Sequence, residues 1–259
     1  MEIIKKYRPV FRSGMVLKAE YLQQITKQVY RLTDLEYTNY SNGVITGCEV
    51  SVLDNQLIIS VGLFCYDREI YMIEQDVLID YISTNCWMYV KIKHIDNILK
   101  NEEQVQIFSI IFDNNIPTKC EIELCRFQLQ KGAKLRINYD DFDDMNTEFD
   151  TVNIVHVPYS CVDKSTLHPK VLQMFANEFK SYFPSGVLDQ VFCLQCINQY
   201  MPISLAGIAD YLKFRDNTDI EEKTNLNLYK ELQRIIGEAK NINKPIEKKA
   251  FPKRKIIVD

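Results

Sequence analysis

The sequence predicts an α+β fold with the strands first: an antiparallel β-sandwich, preceded by one N-terminal helix and followed by a small helical bundle. Two observations predict it. Apolar residues recur with a period near 3.6 over 18–37, near two from 44 to about 157, and near 3.6 again from about 165. Turn-forming clusters, and no helix-length segments, separate the period-two runs, which argues against a doubly wound α/β sheet. The domains expected are 1–160 (sandwich with N-terminal helix), 161–243 (helical neck) and 244–259 (basic tail).

Residues 1–13 read as extended. Over 18–37, Leu22, Ile25, Val29 and Leu32 share one face of an otherwise polar helix, which places that helix on the outside. NYSNG at 39–43 breaks it. In LIISVGLF (57–64), Leu57, Ile59, Val61 and Leu63 face one way. CWMYVKIKHI (86–95) is a further strand. VQIFSIIF (105–112) is apolar on both faces: Val105, Ile107 and Ile111 on one, Phe108, Ile110 and Phe112 on the other. In CEIELCRFQL (120–129) the apolar face shifts between Leu124 and Cys125, the mark of a bulge or kink. NIVHVPYS (153–160) reads as the last strand.

Ser165 or Thr166 is the expected cap of the next helix, with Pro169 in its first turn and Val171, Phe175, Phe179 and Tyr182 on its apolar face. Helices over about 187–200 and 203–214 follow. The last, 219–243, carries Leu228, Leu232, Ile235, Ala239 and Ile242 at alternating steps of four and three. That is a heptad seam of about two repeats, suited to a bundle within the chain or between chains.

Composition excludes several classes. The 259 residues are 46% hydrophobic and 25% charged, with a net charge of −4, so a collagen, a rod or a general nucleic-acid coat is not expected. No apolar run approaches the ~18 residues of a membrane-spanning helix, and no secretory leader is visible. The eight cysteines are irregularly spaced and mostly within apolar runs, which reads as reduced thiols in the cytoplasm.

Chemical motifs are few. Cys193 and Cys196 form a CxxC without a second ligand pair, inside an apolar helix, and read as packing residues. His94, His156 and His168 have no metal-like spacing. The acidic run 139–150 fails the calcium-loop pattern and suits docking to a basic partner. P-loop, GxGxxG, GxSxG and HExxH motifs are absent. No enzyme activity, metal or cofactor is expected.

One ordered set of residues is more specific. Gly14, Met15 and Leu17 form a Gly-Met-x-Leu turn, and Tyr21 and Gln23 follow in the helix. Gly43, Gly47 and Val50 come next, then Leu57, Ile59, Val61 and Gly62 before a polar return strand. This order resembles the N-terminal region of the TssK family, baseplate adaptors of type VI secretion systems, and related baseplate and receptor-binding components of phage-like particles. The sequence departs from that family at Lys18, Ala19, Glu20 and Tyr21, where TssK has Pro-Gln-His-Phe. The resemblance spans about the first 80 residues. It implies a shell-like sandwich with a helical neck, trimerisation, binding to wedge proteins and an indirect link to a membrane complex. The candidate interface is then Gly14, Met15, Leu17 and Tyr21 near the first helix, with Leu228, Leu232, Ile235, Ala239 and Ile242 as an inter-chain seam. A receptor- or carbohydrate-binding module is the alternative, with Tyr66, Tyr71, Tyr139 and Phe142 as its aromatic contacts.

Overall fold

The computed structural model describes residues 12–14, 16, 18–100, 103–182, 186–199 and 201–242. The expected extended start (most of 1–13), Met15, Leu17 and the basic tail 244–259 lie outside them. The order is α+β: one helix, strands in three three-stranded antiparallel sheets, then four helices.

Helix α1 (Ala19–Tyr37) follows a turn in which Gly14 has φ +81°. Six strands come next: β1 (Gly43–Gly47), β2 (Val50–Leu53), β3 (Gln56–Ile59), β4 (Gly62–Tyr66), β5 (Glu69–Ile73) and β6 (Val77–Asp80). Their pairing orders, β1-β4-β5 and β2-β3-β6, describe one three-segment meander creased across its middle. The segments break at neighbouring positions: Cys48–Glu49, Ser60–Val61 and 74–76. Across the crease the Cys48 N–H donates to the Val61 carbonyl (3.2 Å), and the Ser60 N–H to the Glu49 carbonyl (2.9 Å). The Val61 N–H reaches Asp76 Oδ1 at 3.0 Å.

Glycine is required at the crease. Gly47 has φ +65°, and a Cβ there would stand 2.2 Å from the Val61 carbonyl oxygen. The crease also corrects the expected strand 57–64. Leu57 and Ile59 are buried, Val61 is 50% exposed, and burial resumes one step out of phase at Phe64 and Cys65. Two residues out of strand geometry at Ser60–Val61 reset the alternation.

The third sheet is built on β7 (Trp87–Lys100), flanked by β8 (Glu103–Asp113) and β9 (Glu121–Gln128). β9 pairs with β7 only up to Lys93, whereas β8 pairs to Lys100, so the far end of the hairpin is a two-stranded arm. The expected irregularity in β9 is present: Val90 pairs with Cys125 and Lys91 with Glu123, leaving Leu124 as the extra residue. Glu123, Leu124 and Cys125 are consequently all buried. The side chains 106–108 and 110–112 are half-buried, so both faces of β8 are partly covered.

The segment 153–160 is not a strand. It makes only isolated bridges, of Asn153 with Arg126 and of Tyr159 with Val44 and Thr166. Val152, Ile154, Val155 and Val157 are buried, which no two-fold alternation produces. The Asn153 side chain turns the chain by accepting the Val155 N–H at 2.9 Å. This segment closes the outer edge of β1: the Val44 N–H donates to Pro158 (2.9 Å) and the Ser160 N–H to Val44 (2.7 Å). The approach is close enough that a Cβ on Gly43 would meet the Pro158 oxygen at 2.4 Å.

The helices are α2 (Pro169–Phe179), α3 (Val187–Ile197), α4 (Leu205–Asp216) and α5 (Asn225–Ile242). The cap of α2 is His168, not Ser165 or Thr166: its Nδ1 accepts the Lys170 N–H at 3.0 Å. An imidazole lone pair here does what a carboxylate or hydroxyl oxygen usually does. Thr166 instead donates its hydroxyl to the Ile203 carbonyl at 2.7 Å. α5 starts later than expected, because Thr224 accepts the Asn227 N–H at 3.2 Å and opens the helix there. An aromatic column crosses the helical layer, from Tyr229 and Phe142 (4.6 Å between centroids) through Phe175 and Phe192 to Tyr211. The buried residues form one cluster, from Val44 in β1 to Ala239 in α5.

Candidate protein-binding surface

α1 presents a face that nothing among the described residues covers. None of its 19 residues is buried, and only Tyr21, Thr33 and Tyr37 are half-buried; the helix rests against β5. At 100° per residue, Leu22, Ile25, Val29, Leu32 and Leu35 fall in one stripe, and all five are exposed. Glu20, Gln24, Lys27 and Arg31 form the opposite, polar face. A helix of this length that buries no side chain has little tertiary packing to hold it, and isolated helices are marginal in water.

A second uncovered apolar stripe lies on α3. Phe192, Cys193 and Cys196 face inward, and Val187, Val191 and Leu194 are exposed on the other side, with Met201 nearby. Such stripes on two helices are what partner surfaces look like.

The other predicted interface residues are placed differently. Gly14 is exposed in its turn and Tyr21 is half-buried. Leu228, Leu232, Ile235 and Ala239 are buried inside the chain, against a core that includes α2. They form a seam within the chain; of the five, only Ile242 faces solvent, at 81% exposure. The heptad spacing is real, and the chain's own helices satisfy it.

The chemical motifs resolve into structure. Both cysteines of the CxxC are buried, and burial pushes the Cys193 thiol up to about 11 and Cys196 higher still. None of the eight cysteines is in a disulfide. Within the acidic run, Asp144 is held by the Arg136 guanidinium through two hydrogen bonds, which take its carboxyl down to about 2. Asp143 accepts from Gln233 (2.8 Å) and pairs with Lys240 (3.2 Å), and Tyr229 donates its hydroxyl to the Phe142 carbonyl. The run is a clasp on α5. No group of three or more metal-ligating side chains occurs among the described residues.

The aromatic contacts expected of a carbohydrate module are not displayed. Phe142 is buried, and Tyr139 donates its hydroxyl to the Val152 carbonyl at 2.7 Å. Tyr66 and Tyr71 pack around Phe108, 5.2 and 4.4 Å from its centroid. His94 stands 5.2 Å from the same ring.

Two polar features were not legible in the sequence. Lys91 is 2% exposed and is paired with Asp113 (3.1 Å), Glu121 (3.4 Å) and the Asn115 carbonyl (3.0 Å). Its alternation with Val90 and Ile92 signals an outward residue, and only the fold shows that the Asp113–Glu121 connection covers it. His168 lies buried beside Tyr159 (4.6 Å), with Nε2 3.8 Å from Glu49, and burial followed by the Lys170 charge lowers it to about 3.

No helix among the described residues is long and apolar enough to cross a membrane. No protein-family model matches the chain, and no curated protein sequence matches it. Solved structures do. A crystal structure of TssK is similar over 91% of this chain and 72% of that one, with 8% identity and a TM-score of 0.47. A cryo-electron microscopy structure of the type VI secretion system TssK-TssF-TssG baseplate subcomplex contains a chain similar over 91% of this one and 100% of that one, with 11% identity and a TM-score of 0.39. In a structure of the baseplate complex from the type VI secretion system the corresponding values are 90%, 100%, 11% and 0.32.

Proposed function

We propose that the chain is a non-catalytic structural adaptor in the baseplate of a contractile injection system, type VI secretion-like or phage tail-like. It works in the cytoplasm without a cofactor, self-associates as a trimer and binds wedge proteins. The observation that carries this reading is α1: an amphipathic helix whose apolar stripe is left open. Leu22, Ile25, Val29 and Leu32 are spaced three, four and three apart, the spacing of a seam between parallel helices. The same helix sits inside the ordered motif that resembles TssK. The motif's Gly14 occupies a positive-φ turn, and its Gly43 and Gly47 occupy the two close approaches described above.

Light scattering on the purified chain, with density-gradient sedimentation of native lysate, tests the proposal. The expected mass is about three times the 30.4 kDa chain, and Ile25→Asp with Leu32→Asp reduces it to one. In lysate the chain is expected to travel with megadalton particles containing sheath or tube proteins. A single-chain mass together with no such particles overturns the proposal.

A further inference from the structure

A cleft of about 790 Å³ opens between the β and helical layers, apart from α1 and from the α3 stripe. Its walls come from distant parts of the chain: Ser41 and Asn42 after α1, 119–122 at the start of β9, His156 and Pro158, 164–165, Leu205 and the start of α5. Ile122, Pro158, Leu205 and Leu226 line it with apolar surface.

Its charges have one sign left over. Lys119, Lys164 and Lys223 line the cleft, all three are exposed, and none has an ion-pair partner among the described residues. The one acid in the lining, Glu121, is already committed to Lys91 (3.4 Å) and Lys93 (3.6 Å) and to the Thr118 N–H (2.9 Å). His156 also lines the cleft, with neither ring nitrogen hydrogen-bonded to another described residue. Burial, then the charges of Arg126 and Lys230, take it down to about 4, so its ring is neutral at pH 7. The 18-residue α5 begins in the same wall, and its N-terminal end adds to the positive field.

We infer that this cleft binds an acidic peptide segment of a partner protein, with carboxylates on the three lysines and an apolar side chain among Ile122, Pro158, Leu205 and Leu226. The arrangement favours a peptide over a compact anion. The lysines sit on three separate loops, with neither an arginine fork nor a ring of backbone N–H groups around one point, and phosphate sites are built from such convergent donors. Separated ammonium groups on flexible stems instead match carboxylates spaced along a chain. The inference deepens the adaptor reading and rests on it only in taking the partner to be a protein.

The test uses the full chain and a fluorescein-labelled decapeptide of alternating glutamate and leucine, read by anisotropy at low and moderate salt. Binding is expected to weaken as salt rises. The triple variant Lys119→Gln, Lys164→Gln, Lys223→Gln is expected to bind about tenfold more weakly while melting like the wild type. A glutamine-for-glutamate peptide is expected not to bind. Ile25→Asp with Leu32→Asp is the control that separates the two readings: it breaks self-association and leaves peptide binding unchanged. Equal affinity in the wild type and the lysine variant overturns the inference. So does lysine-dependent binding of inorganic pyrophosphate without binding of the peptide, which would mark a small-anion site.

Discussion

α1 and α5 carry the same sequence signal and have opposite fates. Leu22, Ile25, Val29 and Leu32 repeat at three and four, and so do Leu228, Leu232, Ile235 and Ala239. The first set lies open to solvent and the second is buried in the chain's own core. Two differences separate them. α5 has Tyr229 and Ile236 beside its seam, which widen the apolar face, and the Tyr229 hydroxyl is anchored on the Phe142 carbonyl. α5 is also locked laterally to α4: Arg234 reaches Asp216 (2.9 Å), and Arg215 reaches Glu238 (3.3 Å). In α1 the threonines Thr26 and Thr33 bond back to their own helix. A heptad pattern thus reports an apolar helix face; it does not report whether the helix's own chain covers it.

The matched pair Leu232→Ala and Leu22→Ala breaks this comparison most sharply. Leu232→Ala opens a cavity in a closed core and should cost about 2–5 kcal/mol in urea unfolding. Leu22→Ala should cost the isolated chain less than about 0.5 kcal/mol, the value for an exposed site. Similar losses at both positions would mean that α1 is packed by its own chain. Tyr229→Phe removes the hydroxyl anchor of α5. It leaves a buried carbonyl with one partner fewer and should cost about 1–3 kcal/mol by the same measurement.

The platform under α5 can be probed through α2. His168→Ala removes the helix cap and should cost about 1 kcal/mol at pH 7, with His168→Asn recovering most of it. The pH dependence has a definite sign. His168 binds its proton near pH 6.5 when unfolded and near 3 when folded, so the unfolded chain takes up more protons between those values. Stability therefore falls as pH drops below about 6.5. His156, lowered to about 4, acts in the same direction. Asp144 is a depressed carboxyl: its contribution is complete above its unfolded value near 3.8 and is lost as pH falls through about 2. His168→Asn should flatten the upper part of the acid profile, and Arg136→Ala the lower part, both followed by urea midpoints from pH 7 to pH 2. The smallest expected effect is Ile95→Ala, at an exposed position in the β7 arm: within about 0.5 kcal/mol.

Much of the architecture was legible because it rests on local periodicity. α1 and the four later helices, the strands β7, β8 and β9 and even the Leu124 bulge follow from which residues alternate. What was not legible depends on contacts distant in sequence. The crease at Ser60–Val61 interrupts an apolar run that reads as one strand, and only the crossing at Gly47 and Gly62 shows why. The segment 153–160 is held by isolated bridges and not as a ladder member, with Ile154, Val155 and Val157 all buried. The cap at His168 was hidden because the usual capping residues, Ser165 and Thr166, stand just before it. The cleft was least legible, since its three lysines come from positions 119, 164 and 223 and meet only through the fold.

The closure of β1 has a consequence for how the chain is made. β1 is the first strand, yet its outer edge is covered by Pro158 and Ser160, more than a hundred positions later. A ribosome delivers that cover well after the meander 43–80 has emerged. Through that interval the growing chain exposes an unpaired strand edge, the kind of surface that recruits other strands. Fragments ending before residue 158 keep that edge permanently. They will clump where the full chain stays dispersed, so the vulnerable moment of this protein is its synthesis.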